Sequence, residues 1–230
     1  MTSRSATPAR RPPRAEPVVA DRAADLEVPP RLTGVLVGDE PAAWQAARFP
    51  VVGDRAAVGP VTLRFDAAAE GRGVLGWELD PVQEQVVDGL RPAAVGPAAG
   101  ASPASPYAAV DHLVVATPDL ERTTAALARV GLSPRRTVDA ARGDAGVRYR
   151  FFLLGTALLE VIGPREPEGD GPARFVGVAF TAPDLAEVAD LATGPPKPAV
   201  QAGREIVTLR TRELGIGVPV AVLSPRPPRR

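Results

Sequence analysis

Two residues of the chain have side chains that could act together in chemistry. They are His112, the only histidine, and Glu160, the one acid of an otherwise apolar run. Each belongs to a short apolar stretch, 110–116 and 157–162, that predicts a buried strand. A carboxylate in a buried strand is costly unless it is paired, hydrogen-bonded or bound to a metal. If the two strands are neighbours, the imidazole and the carboxylate can converge on one divalent cation.

The chain between these two residues predicts the elements that would position them. The stretch Thr117-Pro118-Asp119-Leu120 is typical of a helix start, because a hydroxyl cap precedes a proline and an acid. Apolar residues then recur at helical spacing until Gly131, where the helix is expected to end. A further strand is predicted at 147–154. One unit therefore carries His112 on its first strand and Glu160 on its last.

This unit resembles a βαβββ module of the vicinal oxygen chelate superfamily. The residues that carry the likeness are Asp111-His112-Leu113-Val114-Val115, Thr117-Pro118-Asp119-Leu120 and Leu159-Glu160-Val161-Ile162-Gly163-Pro164. The superfamily includes glyoxalases, extradiol dioxygenases, methylmalonyl-CoA epimerases and bleomycin-resistance proteins. The resemblance implies that His112 and Glu160 are metal ligands and that Glu160 also acts in catalysis. It implies a divalent cofactor such as Zn²⁺, Ni²⁺, Mn²⁺ or Fe²⁺, and a protein without any cofactor is the alternative.

Residues 173–225 repeat the unit. Ala182-Pro183-Asp184-Leu185 matches the helix start at 117–120 with an offset of 65 residues, and Ser224-Pro225 matches Gly163-Pro164. An internal repeat is a signal of the whole fold. With the resemblance, it predicts an α+β, glyoxalase-like domain at 109–225. In that domain, tandem βαβββ modules, 109–164 and 173–225, form a curved, partly open β-barrel.

The second copy lacks both candidate ligands. The offset of 65 aligns His112 with Gly177, and alignment of the two proline exits aligns Glu160 with Ala221. The chain then supplies two ligands from its best pair, whereas catalytic zinc sites normally take three. A hydrogen-bonded pair retained for structure is therefore one alternative to a metal site. Metal-free acid–base chemistry, with Glu160 as the base and His112 as its partner, is another.

Residues 31–80 predict an additional, divergent N-terminal βαβββ module. Strands are expected at 31–38, 55–58, 61–65 and 73–79, and a helix at 40–49. The first strand has no histidine, and the last carries Glu78. Glu78 is a third candidate metal ligand, with a solvent-facing glutamate as the alternative. The module could pack on an edge of the main domain or pair with its counterpart in a homodimer.

The strand predicted at 147–154 carries two arginines. Arg148 and Arg150 lie on one face of it and could bind an anionic substrate. Because side chains alternate along a strand, Tyr149 and Phe151 are expected on the other face. Exposed arginines on an outer face of the sheet are the alternative to a substrate site.

Three segments predict tails or linkers. Residues 1–30 are rich in Pro, Ala and Arg and predict a disordered tail. Residues 81–108, rich in Pro, Gly and Ala, predict a semi-stiff and poorly ordered linker. Residues 226–230 form a basic tail.

Composition excludes several functions. The 27 basic and 27 acidic residues cancel, so no overall field attracts nucleic acid or membrane. The chain has no cysteine, which excludes disulfides and thiolate chemistry. It shows neither an apolar span of about 20 residues nor the apolar core of a secretory signal, so a cytoplasmic location is expected.

Two classes of function follow from the resemblance. One is a metal-assisted isomerase, lyase or epimerase that acts on a small oxygen-rich substrate. The other is a non-catalytic protein that binds or sequesters a small molecule in the same cleft, as the resistance proteins do. The retained His112 and Glu160 favour the first, and the missing ligands at Gly177 and Ala221 favour the second.

Overall fold

Two mixed β-sheets form most of the computed structural model. It describes residues 28–82, 85–98, 103–139 and 146–227, and the helices in these ranges are few and short. The sheets curve without closing into a barrel. Most of the predicted tail, residues 1–27, lies outside the described residues, as do residues 228–230. Within the described ranges, no helix is long and apolar enough to cross a bilayer.

The five-stranded sheet is built from residues 31–80. Its elements in chain order are β1 (Arg31–Val37), α1 (Pro41–Ala46), β2 (Val51–Val52), β3 (Arg55–Val58), β4 (Val61–Phe65) and β5 (Val74–Asp80). The strands are ordered β2-β3-β4-β1-β5, with β1 parallel to β4 and antiparallel to β5. The N-terminal βαβββ module therefore ends at β4, and the predicted last strand, here β5, lies on the other side of β1. Sequence reasoning missed β2 because two residues are too short for a strand pattern.

The eight-stranded sheet contains the two other modules. Its elements are β6 (Ala109–Ala116), α2 (Leu120–Ala128), β7 (Pro134–Asp139), β8 (Val147–Leu154), β9 (Ala157–Pro164), β10 (Arg174–Thr181), a 3₁₀ helix (Leu185–Leu191), β11 (Lys197–Pro198), β12 (Glu205–Thr208), α3 (Thr211–Leu214) and β13 (Val220–Leu223). The order is β11-β12-β13-β10-β6-β9-β8-β7. β6 is parallel to β9, and β10 is parallel to β13. The predicted tandem βαβββ architecture is confirmed.

The pairing of the two first strands confirms the internal repeat. β6 and β10 run antiparallel, with His112 opposite Ala179 and Val114 opposite Gly177. Adding 65 to the number of His112 gives Gly177, and subtracting 65 from that of Ala179 gives Val114. The repeat offset therefore converts the first pair into the second. Two copies related by an approximate two-fold axis give this relation. The offset found in the sequence is therefore also the offset between equivalent positions in space.

Local rules account for the elements of the central module. Along β6 and β9, alternate residues such as Leu113 and Leu159 are fully buried, whereas the residues between them are half-buried. The helix α2 covers the buried face and contributes Leu127 to the core. Its cap is Asp119, whose carboxylate accepts a hydrogen bond from Arg122 N at 2.9 Å. The predicted hydroxyl cap, Thr117, instead holds the turn before the helix.

An aromatic cluster joins the N-terminal module to the main domain. Phe49 stacks on Tyr107 with ring centroids 4.0 Å apart and contacts Phe180 of β10 edge-on at 4.7 Å. The Tyr107 hydroxyl donates a hydrogen bond to Ala47 O at 2.8 Å. Edge-on and stacked rings of this kind stabilise a contact beyond the area that they bury. The first module therefore packs on the main domain within one chain, one of the two predicted arrangements.

The segment predicted as a poorly ordered linker is packed in its described parts. Val87, Leu90, Val95 and Tyr107 are all at most 5% exposed. The backbone of Trp77 on β5 also exchanges hydrogen bonds with residues 91 and 93. The prediction of poor order is therefore wrong for residues 85–98 and 103–108. Composition misled because four apolar side chains, spaced among prolines and alanines, suffice to dock the segment.

Candidate functional site

His112 and Glu160 lie on the same face of the eight-stranded sheet. In the parallel pair β6–β9, His112 is opposite Leu158, and Val114 is opposite Glu160. Paired residues of neighbouring strands share a face, and so do alternate residues of one strand. The two side chains are thus two positions apart along adjacent strands, a diagonal that long side chains can bridge.

The direct strand partners of the pair are apolar. Phe151 of β8 is the partner of Glu160, and Ala179 of β10 is the partner of His112. We call this surface the site face and define it by His112, Val114, Phe151, Glu160 and Ala179. It combines one imidazole and one carboxylate with aliphatic and aromatic walls, the usual composition of a small-molecule site.

Glu160 is an acid without a hydrogen-bonding partner in the described part of the chain. It is half-buried, and burial raises the pKa of its carboxyl group, while the nearby His112 imidazole acts in the opposite direction. No described residue donates a hydrogen bond to it. A carboxylate in such a position is available to a ligand, and a raised pKa makes it a stronger base.

The His112 imidazole contacts a buried ion pair formed by Asp111 and Arg204. Its Nδ1 lies 2.9 Å from Asp111 Oδ1, and Arg204 Nη2 donates to Asp111 Oδ2 at 2.6 Å. Burial alone would raise the pKa of Asp111, but the hydrogen bonds from His112 and Arg204 outweigh it and lower that pKa to about 2. Asp111 is therefore ionised at neutral pH and accepts hydrogen bonds from both neighbours.

Sequence reasoning missed Asp111 and Arg204. The sequence contained a signal for Asp111, since an acid next to the only histidine inside an apolar run could have been recognised as its partner. Arg204 left none, because it lies 92 positions further along the chain than His112, among other polar residues. Only the pairing of the two modules brings it to Asp111.

The donor set of the site face does not fit a resident divalent cation. Ala221 is the partner of Ala179, just as Glu160 is the partner of Val114, so Ala221 stands where the second copy would carry its acid. Gly177 occupies the position in the second copy that is equivalent to that of His112 in the first. Across the described ranges, no three His, Cys, Asp or Glu side chains gather where they could hold a metal ion. One imidazole and one carboxylate fall short of the three protein ligands that catalytic zinc normally takes.

Glu78, the third candidate ligand, is used by the five-stranded sheet. Its carboxylate accepts hydrogen bonds from Thr33 Oγ1 at 2.9 Å, Val95 N at 2.7 Å and Gly96 N at 3.0 Å. Burial raises the pKa of Glu78, but these hydrogen bonds prevail and lower it. Glu78 also lines a cavity of about 370 Å³ beside Trp77. The structure places it on β5, which belongs to the other sheet, and does not bring it to His112 and Glu160.

The two candidate substrate-binding arginines lie on the opposite face from Glu160. Arg150 is the partner of Val161 and reaches α2, where Nη1 donates to Glu121 at 2.9 Å and to Thr124 Oγ1 at 2.7 Å. Arg148 pairs with Asp139 at 2.8 Å on the neighbouring strand β7. Both guanidinium groups are thus engaged in ion pairs away from the site face.

Comparison with known proteins establishes the fold. Over 88% of its length the chain is similar to a mutant of 4-hydroxymandelate synthase from Streptomyces coelicolor, with 13% identity, 94% of that chain covered and a TM-score of 0.56. A halotolerant catechol dioxygenase matches 86% of this chain and 86% of its own, with 11% identity and a TM-score of 0.52. No protein-family model and no curated protein matches. At these identities the likeness concerns the fold alone.

The chain has the vicinal oxygen chelate fold, as its βαβββ modules predict. A third solved structure, a fusion of a xylose isomerase-like barrel with 4-hydroxyphenylpyruvate dioxygenase, matches 87% of this chain and 50% of its own length. Its identity is 12% and its TM-score 0.55. These matches span all three modules, so the N-terminal module is part of the shared fold.

Proposed function

We propose that the site face binds a small oxygen-rich molecule and that Glu160 transfers a proton on it, with His112 as its partner. The observation that carries the proposal is the half-buried Glu160 carboxylate, which has a raised pKa and no hydrogen bond from the described residues. An apolar residue would suit this position better for stability alone. The retained acid is best explained by a ligand that it must reach.

The neighbours of Glu160 suggest which molecule fits. An imidazole and a carboxylate form hydrogen bonds with hydroxyl and carbonyl groups, and Phe151 beside Glu160 offers a flat apolar contact. The two arginines of β8 are held by acids on the other face, so neither of them is placed to bind an anionic group on the site face. A compact molecule with adjacent oxygen atoms matches this surface.

The chemistry proposed for Glu160 is proton transfer at a carbon next to a carbonyl group. The carboxylate takes the C–H proton, the electron pair of that bond forms a carbon–carbon double bond, and the carbonyl oxygen takes the negative charge. Return of a proton to carbon restores the carbonyl group. Isomerases and epimerases share this step, and a positioned acid–base group contributes about 10²–10⁴-fold to its rate.

Exchange of carbon-bound hydrogen with solvent tests the proposal. Chelator-treated protein is incubated in D₂O with a panel of 2-hydroxy ketones, 2-oxo acids and acyl thioesters, and loss of the α-proton is followed by NMR. We expect exchange with at least one class, a loss of about 100-fold or more in Glu160→Gln, and near-normal exchange in the matched variant Glu78→Gln. No exchange by the wild type with any class would contradict the proposal.

Binding without turnover is a second candidate, favoured by Gly177 and Ala221. A site whose second half has Gly177 and Ala221 in place of a second imidazole and carboxylate has fewer groups to stabilise the negative charge of an intermediate. In that case the same panel raises the unfolding temperature of the wild type without any exchange. A cation completed by substrate oxygens is the remaining form of the metal hypothesis, and repeating the assay with added cations tests it. The expected homodimer and cytoplasmic location stay predictions.

A further inference from the structure

We infer that Asp111 and Arg204 are positioning residues that fix His112 as the tautomer with its proton on Nδ1. In that tautomer Nε2 carries a lone pair toward the site face and accepts a hydrogen bond from the ligand. The use of this arrangement rests on the proposed function. The arrangement itself concerns only the state of one imidazole and can be tested separately.

The contacts define a chain of three charged or polar groups. His112 Nδ1 lies 2.9 Å from Asp111 Oδ1, and the other oxygen, Oδ2, accepts from Arg204 Nη2 at 2.6 Å. An ionised carboxylate can only accept hydrogen bonds. The hydrogen bond between Asp111 and His112 therefore requires the proton to be on Nδ1. The hydrogen bond made by one ring nitrogen decides which tautomer is present.

Each of the three nitrogens of the Arg204 guanidinium donates a hydrogen bond. Besides Asp111, Nε donates to Ser224 O at 2.7 Å, and Nη1 donates to Gln201 Oε1 at 2.7 Å. The side chains of Arg204 and Asp111 are only 1% and 2% exposed. Arg204 therefore holds one orientation, and it fixes the carboxylate that His112 faces.

A β-bulge brings Asp111 next to the imidazole. In the β6–β10 pair, His112 is opposite Ala179 and Val110 is opposite Phe180, so Asp111 has no partner on β10. A bulge of this kind re-aims a side chain and is frequent beside active sites. Without it, strict alternation would point Asp111 and His112 to opposite faces. The bulge allows the two neighbouring side chains to meet.

The energetics favour a role beyond stability. A buried ion pair costs desolvation that its mutual attraction only roughly repays, and well-packed apolar residues often serve the fold as well or better. Arg204 belongs to the C-terminal module and Asp111 to the central one, so the pair also links the two halves of the sheet. What this pair provides and an apolar pair cannot is a fixed acceptor for His112 Nδ1.

The consequence for the ligand is specific. With Nδ1 protonated and bound to Asp111, the nitrogen that His112 offers to the site face is an acceptor. The ligand group opposite it must then be a donor, such as a hydroxyl. This deepens the proposed function, since it assigns the hydroxyl end of an oxygen-rich molecule to His112 and the carbon acid to Glu160.

The test uses the fact that His112 is the only histidine. Its two ring nitrogens are observed by ¹⁵N NMR at about pH 8.5 or above, where a free imidazole is neutral. The wild type should show a protonated Nδ1 and an unprotonated Nε2. In the double variant Asp111→Leu/Arg204→Met, which removes both charges and keeps the volume, the preference should reverse toward Nε2–H. Asp88→Asn, which breaks the separate ion pair with Arg122, should leave the tautomer unchanged.

The outcomes are distinct. A wild type dominated by Nε2–H, or a double variant with an unchanged tautomer, would overturn the inference even if solvent exchange is found. If exchange is absent while the tautomer behaves as expected, the proposed function fails and the positioning role stands. If both hold, the double variant should also lose about 10–100-fold in exchange rate, as is common when a residue that orients a functional histidine is removed.

Discussion

The two sheets of the protein each carry a glutamate on a half-buried strand, and they treat it in opposite ways. Glu78 in the five-stranded sheet accepts hydrogen bonds from Thr33, Val95 and Gly96, and its pKa is lowered. Glu160 in the eight-stranded sheet receives none from the described residues, and its pKa is raised. The difference shows that an acid in an apolar strand is not by itself a site. It is a candidate for one only where the fold leaves the carboxylate without a hydrogen-bonding partner.

A covering segment explains the contrast. Residues 91–93 hydrogen-bond to the backbone of Trp77 at the edge of β5, and residues 94–96 then cross the face of the five-stranded sheet that carries Glu78. Gly34 on β1 is so close to Val95 that a Cβ added to it would lie 2.5 Å from Val95 Cβ. Arg64 donates a hydrogen bond to Ala94 O at 3.0 Å from the same sheet. The carboxylate of Glu78 thus binds the backbone of the chain itself, whereas the carboxylate of Glu160 receives no hydrogen bond from the described residues.

The largest expected effect on stability comes from Glu78→Leu. This variant leaves the backbone N–H groups of Val95 and Gly96 without their acceptor, so we expect a loss of about 2–4 kcal/mol in the free energy of unfolding. Urea unfolding followed by tryptophan fluorescence measures it. A change below about 0.5 kcal/mol, within the range of ordinary surface substitutions, would mean that Glu78 is not holding the segment.

The same substitution at the other glutamate should act in the opposite direction. Glu160→Leu removes a half-buried carboxylate that has no hydrogen bond and places an apolar side chain among Val114, Leu158 and Phe151. We expect the free energy of unfolding to stay level or rise by about 1 kcal/mol. Unfolding in urea under matched conditions provides the comparison. A loss as large as that of Glu78→Leu would show that Glu160 serves the fold.

The pH dependence of stability should separate the two acids more finely. The pKa of Glu160 is raised above its ordinary value of 4.5, so its folded form binds more protons and stability falls as pH rises above 4.5. The pKa of Glu78 is lowered, so its contribution is present above 4.5 and is lost as pH falls below it. We therefore measure the free energy of unfolding between about pH 3 and 7. Relative to the wild type, the stability of Glu160→Gln should increase as pH rises, and the stability of Glu78→Gln should decrease. If the stability of both variants had the same pH dependence as that of the wild type, the opposite pKa shifts of Glu160 and Glu78 would be contradicted.

The smallest expected effect is that of divalent cations. With two protein ligands on the site face, Zn²⁺, Ni²⁺, Mn²⁺ and Fe²⁺ should raise the unfolding temperature of the wild type no more than that of Glu160→Gln. Thermal unfolding with and without each ion, in protein prepared without chelator, provides the measurement. A rise confined to the wild type would favour a cation completed by substrate oxygens, and elemental analysis would identify it.

Much of the frame around the site could be predicted from residue patterns. Short apolar runs predicted the strands that carry His112 and Glu160. The repeat offset located Gly177, and alignment of the two proline exits located Ala221, as the equivalent positions of the second copy. The roles assigned to Arg148 and Arg150 depended instead on which face of the sheet binds the ligand. Alternation separates two faces but does not say which one α2 covers.

What the sequence by itself determined is therefore local: strand or helix, the faces of each strand, the repeat and the fold class that it implies. The tertiary structure alone decided the partners. It brought Arg204 to Asp111, Val95 and Gly96 to Glu78, and the acid Glu121 of α2 to Arg150. These contacts join residues 17 to 93 positions apart, and each depends on which strands become neighbours. Burial and hydrogen bonding are shared among all the elements packed together, so whether a carboxylate is satisfied or left open is a property of the assembled sheets.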